Sequence, residues 1–302
     1  MSTAEPTRSR AATEEKTGAR RDRERPPAPD PLPHPVVDNH CHLDIADGDW
    51  LDTAGAIAAA AAVGVPRIVQ IGCDLPGARW AVAAAAEHVA LVAGVALHPN
   101  EAPGLAAAGR LDEALAEIEQ LATAHDKVRA IGETGLDTYR HAQSRTGEDG
   151  RAAQEESFRR HIDLAKRLDK TLVIHDRDAH DDVLRVLDEE GVPERWVMHC
   201  FSGDDAFARR CLDRGAHLSF AGTVTFKNAA PLRNALAVTP LDRVLVETDA
   251  PFLTPTPWRG RPNASYLVPV TVRAMAEVLA VDLEELCRAI DANTEAAFGG
   301  PW

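Results

Sequence analysis

The sequence predicts a (β/α)₈ TIM barrel, an α/β fold in one domain, and three observations carry that prediction. Eight short aliphatic and β-branched runs recur along the 302-residue chain without polar alternation, as in strands buried on both faces of a parallel sheet. Longer segments with helical spacing separate them. No G-x-G-x-x-G follows the first run, which weakens the alternative of a doubly wound, dinucleotide-binding sheet.

Residues 1–33 stand apart. Arg, Glu, Asp, Ser, Thr and Pro dominate there, and Val, Ile and Phe are absent. Such a stretch has too little apolar surface to offset the entropy of ordering it, so it is read as a disordered polar tail. The barrel is assigned to residues 34–302.

The eight runs follow in order. The first is Pro35–Asp38, which leads into Asn39-His40-Cys41-His42. Arg67–Ile71 precedes Cys73 and Asp74, Leu91–Val95 precedes His98, and Val128–Gly132 precedes Glu133. Thr171–Ile174 ends at His175, Trp196–Met198 at His199, and His217–Phe220 near Thr223. Val244–Val246 runs into Glu247-Thr248-Asp249. Between them, Phe158, Ile162, Ala165 and Leu168 share one helical face, and the segments from Asp204 to Arg214 and from Val268 to Ala280 behave alike.

Position gives these polar residues meaning, because catalytic groups of a (β/α)₈ barrel project from the C-terminal ends of its strands. Residues two apart on an extended segment share a face, so His40 and His42 can both face the barrel axis while Cys41 faces away. Each histidine alone could be a satisfied core residue. Four of them together with Glu133 and Asp249 are explained more simply by a shared metal site, since buried carboxylates are costly unless paired or coordinated. Four imidazoles and two carboxylates can hold two cations if one carboxylate bridges.

Composition narrows the rest. The chain carries 33 Lys and Arg against 47 Asp and Glu, and the charges of residues 1–33 nearly cancel. A broad basic face for gripping nucleic acid is therefore not expected, and a bound divalent metal would supply positive charge locally. Five cysteines without a C-x-x-C pair argue against a disulfide framework and fit a reducing cytoplasm. No apolar stretch reaches membrane-spanning length, so no membrane association is expected. No P-loop or G-x-S-x-G appears.

Taken together, Val36-Val37-Asp38-Asn39-His40-Cys41-His42-Leu43-Asp44, Ile131 to Asp137 around Glu133, Leu172 to Ala179 around His175, His199-Cys200-Phe201-Ser202-Gly203, and Val244 to Pro255 around Asp249 resemble the ordered motifs of the TatD-type deoxyribonuclease family, within the amidohydrolase superfamily. The likeness runs from about Val36 to Phe298. It implies a metal-dependent hydrolase of phosphodiester bonds in DNA, with 3′-to-5′ exonuclease activity on single-stranded ends. It further implies that His40, His42, Glu133 and Asp249 bind one divalent cation and that Glu133, His175 and His199 bind the other (Mg²⁺, Mn²⁺ or Zn²⁺). On this reading Asp249 orients the attacking water and takes its proton, while His98 and Arg177 contact the substrate phosphate. The alternatives for the last two are a turn histidine and a surface arginine. The expected partner is DNA, single-stranded or at 3′ ends, and the chain is expected to act as a monomer.

Three features depart from the family pattern: the N-terminal tail, a long polar loop over His141–Arg151, and Ala264-Ser265 where many members carry Glu-Pro. Two competing functions remain at this point. One is hydrolysis of an amide, lactone or phosphotriester in the wider superfamily, which shares the barrel and the H-x-H. The other is a non-catalytic metal-binding barrel.

Overall fold

The computed structural model describes residues 3, 5–13, 18, 20–141 and 147–300. Eight parallel strands form one sheet in chain order: β1 (Val37–Cys41), β2 (Arg67–Gly72), β3 (Leu91–Val95), β4 (Val128–Asp137), β5 (Thr171–Arg177), β6 (Trp196–Met198), β7 (His217–Phe220) and β8 (Val244–Val246). The sheet closes on itself just past β8. Cys41 bridges Ala250, the Asp249 N–H donates to the His40 carbonyl at 2.9 Å, and the His42 N–H donates to the Ala250 carbonyl at 2.8 Å.

Two apolar layers form, as a sheet covered on its outside by helices requires. The inner one stacks Val37, Val69, Val92, Ala130, Val173, Val197 and Leu245, one residue from each of seven strands, and Phe298 of the C-terminal helix plugs its base. The outer layer packs strand residues against helices and includes Cys41, so Cys41 faces away from the axis as the alternation requires. The helices start where the sequence supplies caps. Asp52, Asp74, Asp204 and Asp282 each accept backbone N–H bonds at the first turn of Thr53–Ala61, Leu75–Glu87, Asp205–Leu212 and Leu283–Phe298. Among the described residues, no helix is long and apolar enough to cross a membrane.

Three places carry irregular register, one of them between Ala93 and Gly94 where β3 meets β4, and the other two bear on the site. Between Asp38 and Cys41, β1 has one residue more than β2, and between Ile131 and Thr134, β4 has one more than β5. Such bulges re-aim a side chain, and here they sit at His40 and at Glu133. Gly135 makes the second one possible. It holds φ +141°, and a Cβ there would lie 2.0 Å from the His175 carbonyl oxygen, so no other residue fits without displacement.

Two expectations need correction. The described part of residues 1–33 is not an unpacked tail. Arg8–Ser9 pairs in parallel with Ile45–Ala46, the Trp80 indole donates to the Glu5 carbonyl, and the Tyr266 hydroxyl donates to the Pro26 carbonyl. What holds most of the segment is charge and backbone pairing, and near its end Leu32 joins the apolar core. Arg21 reaches Asp47 with two bonds at 2.9 and 2.6 Å, and Arg25 donates to the Asp49 carbonyl at 2.6 Å. The polar block 141–151, read as a loop, is helical from Gly147 onward within the helix Gly147–Arg167. Its residues 142–146 lie outside the described residues.

Candidate metal centre

All six expected ligands meet at the C-terminal mouth of the barrel. Glu133 lies at the centre. Its Oε1 accepts from His175 Nδ1 at 2.6 Å and faces His199 Nε2 at 2.8 Å, and its Oε2 lies 3.5 Å from His40 Nε2 and 3.8 Å from His42 Nε2. Asp249 Oδ1 lies 3.3 Å from His42 Nε2 and 3.9 Å from His40 Nε2. His40 and His199 stack with ring centroids 3.9 Å apart. His40, Glu133 and His175 stand within their strands rather than past the ends, because β1, β4 and β5 run further than the apolar runs alone suggest.

Outer contacts orient these groups. His42 Nδ1 donates to the Ile71 carbonyl at 2.9 Å, which turns Nε2 toward the carboxylates. His199 Nδ1 donates to Glu247 Oε1 at 3.1 Å, and the same oxygen accepts the Cys200 N–H at 2.8 Å. Such partners fix the tautomer of a ligating histidine. Asp38, fully buried, accepts from the Thr248 N–H and hydroxyl at 2.9 and 2.6 Å, so β1 sets the turn that carries Asp249. That residue holds φ +53°, a conformation aspartate tolerates better than most residues.

The field in this cluster favours positive charge. Burial opposes protonation of His42, yet Asp249 and Glu133 outweigh it and raise that histidine to about 9. His175 also reaches about 9, because Asp137 and Glu133 overcome the same burial penalty. His199 is raised by Glu133 and Glu247 against burial. Burial works against ionisation of Glu133 and Asp249, but the surrounding histidines hold both carboxyls below their ordinary values. His40 Nε2 and His175 Nε2 are buried without a hydrogen-bond partner. Within three groups, His40–His42–Glu133, His40–His199–Asp249 and His98–Glu133–His175, the potential ligand atoms lie within 4.8 Å of one another. Buried nitrogens without partners, a shared carboxylate and a cation-attracting field fit divalent metal.

His98 and Arg177 lie at the same mouth. His98 Nδ1 accepts the Asn100 N–H at 3.1 Å, and burial lowers the basicity of this ring. A neutral His98 therefore carries its proton on Nε2, 3.5 Å from Glu133 Oε1. That makes Nε2 a donor rather than a lone-pair ligand. The Arg177 guanidinium lies 4.1 Å from the centroid of the Tyr139 ring. Both line a cavity of about 380 Å³ together with His42, Glu133, His175 and Asp249. A larger cleft of about 600 Å³, lined by Asp30, Val224, Arg233 and Arg273 among others, contains none of the clustered histidines.

The sequence reading missed three contributors. Glu247 faces outward to His199 instead of joining the cage. The Cys73 thiol donates to Glu133 Oε2 at 3.2 Å, and burial pushes it well above the usual thiol range. Asp137 lies 3.6 Å from His175 Nε2 and accepts from Asn100 Nδ2 at 3.1 Å. Their positions past the second, fourth and eighth apolar runs were the available signal.

Comparison with known proteins agrees with this geometry. The family model described as TatD related DNase matches residues 37–299. A Mycobacterium tuberculosis protein described as an uncharacterized metal-dependent hydrolase, TatD, is 45% identical over 271 residues, covering 88% of this chain and 99% of that one. The Escherichia coli K12 metal-dependent hydrolase YcfH is 36% identical over 266 residues, covering 87% and 95%. The crystal structure of YjjV, a TatD homologue from Escherichia coli K12, superposes with a TM-score of 0.78 at 28% identity, covering 88% of this chain and 98% of that one.

Proposed function

The chain belongs to the TatD related DNase family and is a metal-dependent hydrolase, and from that premise we propose that it cleaves phosphodiester bonds in DNA, releasing nucleotides from single-stranded 3′ ends. One observation carries the reading: six ligands cluster at the barrel mouth, and four of them, His42, Glu133, His175 and Asp249, line a single cavity together with the donors His98 and Arg177. All come from one chain, so the site needs no second copy. His40, His42, Glu133 and Asp249 would hold one divalent cation, and Glu133, His175 and His199 a second. Bound there, the cations supply Lewis-acid polarisation of a phosphoryl oxygen and make water a nucleophile near neutral pH.

The chain's own groups divide the remaining work. Asp249 is the more accessible carboxylate, its side chain 15% exposed against 5% for Glu133. It is ionised, and from the cavity wall it orients the attacking water and accepts its proton. Glu133, buried beneath, ties the two halves of the histidine cluster together. The His98 Nε2–H donates to a non-bridging oxygen of the phosphate, where charge builds in the transition state. Arg177 does the same from the rim, its swing restricted by Tyr139. A substrate bound through cations and a few donors suits an acidic protein, and it suits chain ends better than long duplex, which a protein grips through many phosphates.

The test is end release from 3′-labelled single-stranded DNA after chelation and after restoring Mg²⁺ or Mn²⁺. Metal-dependent nucleotide release is expected, and Asp249→Asn should reduce it by at least about 100-fold. Asparagine tolerates the same left-handed backbone, so the fold should persist. No release with any cation, together with turnover of a cyclic amide or lactone, would assign the site to another hydrolase class.

A further inference from the structure

One wall of the catalytic cavity comes from outside the family-matched residues. Arg8, Ser9 and Arg10 line it beside His42, Asp249 and Phe252, while the family model begins at residue 37. This strand is docked. The Thr7 N–H donates to the Asp44 carbonyl and the Arg10 N–H to the Ala46 carbonyl, both at 2.8 Å. Arg10 lies 4.9 Å from the centroid of the Phe252 ring, and its Nη1 donates to the Pro251 carbonyl at 2.9 Å and to Asp47 at 3.2 Å. Arg21, its side chain only 4% exposed, also binds Asp47. Two guanidinium groups on one carboxylate leave positive charge in excess. Arg8 stands further out, 44% exposed and 3.3 Å from Asp74.

These arginines run against the character of the molecule, which carries a net charge of −14. A guanidinium has five N–H donors arranged to match phosphate oxygens, and among the described residues the side-chain hydrogen bonds of Arg10 to Pro251 and Asp47 leave from Nη1. Hydrolysis of one diester needs one phosphate at the cations. Arg8 and Arg10 line the same cavity as Arg177 and His98, so a nucleotide chain whose diester sits at the cations has their guanidinium groups beside it.

We propose that Arg8 and Arg10 form a second phosphate subsite, which holds the neighbouring phosphate of an oligonucleotide while the diester beside it reacts. The inference rests on the phosphodiester reading and goes beyond it: the N-terminal strand makes the site selective for substrates with more than one phosphate. The segment is thus a specificity element of this chain and absent from the matched family region.

Steady-state kinetics on two substrates test it: a single-phosphate diester, bis(p-nitrophenyl) phosphate, and a short single-stranded oligonucleotide. Arg8→Ala and Arg10→Ala should each lower kcat/KM for the oligonucleotide about tenfold more than for the single diester. The slope of log(kcat/KM) against log salt should fall by about one per arginine removed. Arg8→Lys should restore part of the loss. Since Arg10 also ties down the Pro251 turn, Arg8→Glu, on the exposed residue, provides the independent variant and should lower the oligonucleotide value further than Arg8→Ala. Equal losses on both substrates, or no loss on either, would overturn the subsite while leaving the phosphodiester reading standing. Wild-type protein inactive on both substrates with every cation would overturn both.

Discussion

Glu247 offers the sharpest test of how the metal cage is built. It is fully buried, and its Oε1 accepts from His199 Nδ1 at 3.1 Å and from the Cys200 N–H at 2.8 Å. Glu247→Gln keeps the shape and removes the charge. The amide oxygen can keep both bonds, but the amide NH₂ then replaces Oε2, which has no hydrogen-bond partner. An unpaired buried donor costs about 1–3 kcal/mol. His199 also loses the carboxylate that pins its proton on Nδ1 and strengthens Nε2 as a ligand. Outer partners of this kind are worth about 10- to 100-fold in metal affinity or activity. Mn²⁺ and Zn²⁺ affinities, measured by competition with a chromogenic chelator, should fall by that factor, and kcat/KM at subsaturating metal should fall with them. A folded Glu247→Gln protein with affinities within twofold of wild type would show that His199 needs no such partner, and the outer-shell argument would fail.

Two further predictions concern stability. His161 is buried, donates from Nδ1 to the Ser157 carbonyl at 2.7 Å and accepts the Leu97 N–H at Nε2, and burial lowers it to about 4. Its unfolded-state value is about 6.5, so the unfolded chain binds this proton first. The stability tied to a neutral His161 is complete above about pH 6.5 and declines as pH falls toward 4, by about 3 kcal/mol in all. Denaturant melts at pH 7.5 and 5 should show a smaller drop in His161→Gln than in wild type, and equal drops would refute the assignment. Gly135→Ala should cost about 3 kcal/mol or more and weaken metal binding through the displaced His175. By contrast Gly104→Ala, on the helix Ala102–Ala107 with open space around its Cβ, should stabilise by up to about 1 kcal/mol. Thermal melts of the two variants would settle the contrast.

The barrel and its ligands were legible because burial on both faces leaves a continuous apolar run, and a histidine or carboxylate at its end has few cheap explanations. His175 after Leu172-Val173-Ile174 and His199 after Trp196-Val197-Met198 are such cases. What could not be read was register. A bulge at Glu133 or His40 leaves no periodic trace, and after β8 nothing in the spacing of Glu247-Thr248-Asp249 says that Glu247 braces the cage from behind. The positive φ of Asp249 decides that, and the decision depends on Asp38, distant in sequence. The order in the described part of residues 1–33 was hidden for a related reason. Apolar counting measures only one route to order, and Arg21, Arg25 and the Arg8–Ser9 strand take another, through carboxylates and carbonyls that the barrel places at its mouth.

The plug at the base of the barrel has a temporal consequence. Phe298 completes the inner packing that Val37 begins, and Ala250 supplies the edge that β1 needs for closure. A chain emerging from the ribosome therefore presents the His40–His42 pair long before its counterparts exist. The full set of six ligands is therefore assembled only once nearly the whole polypeptide has been made.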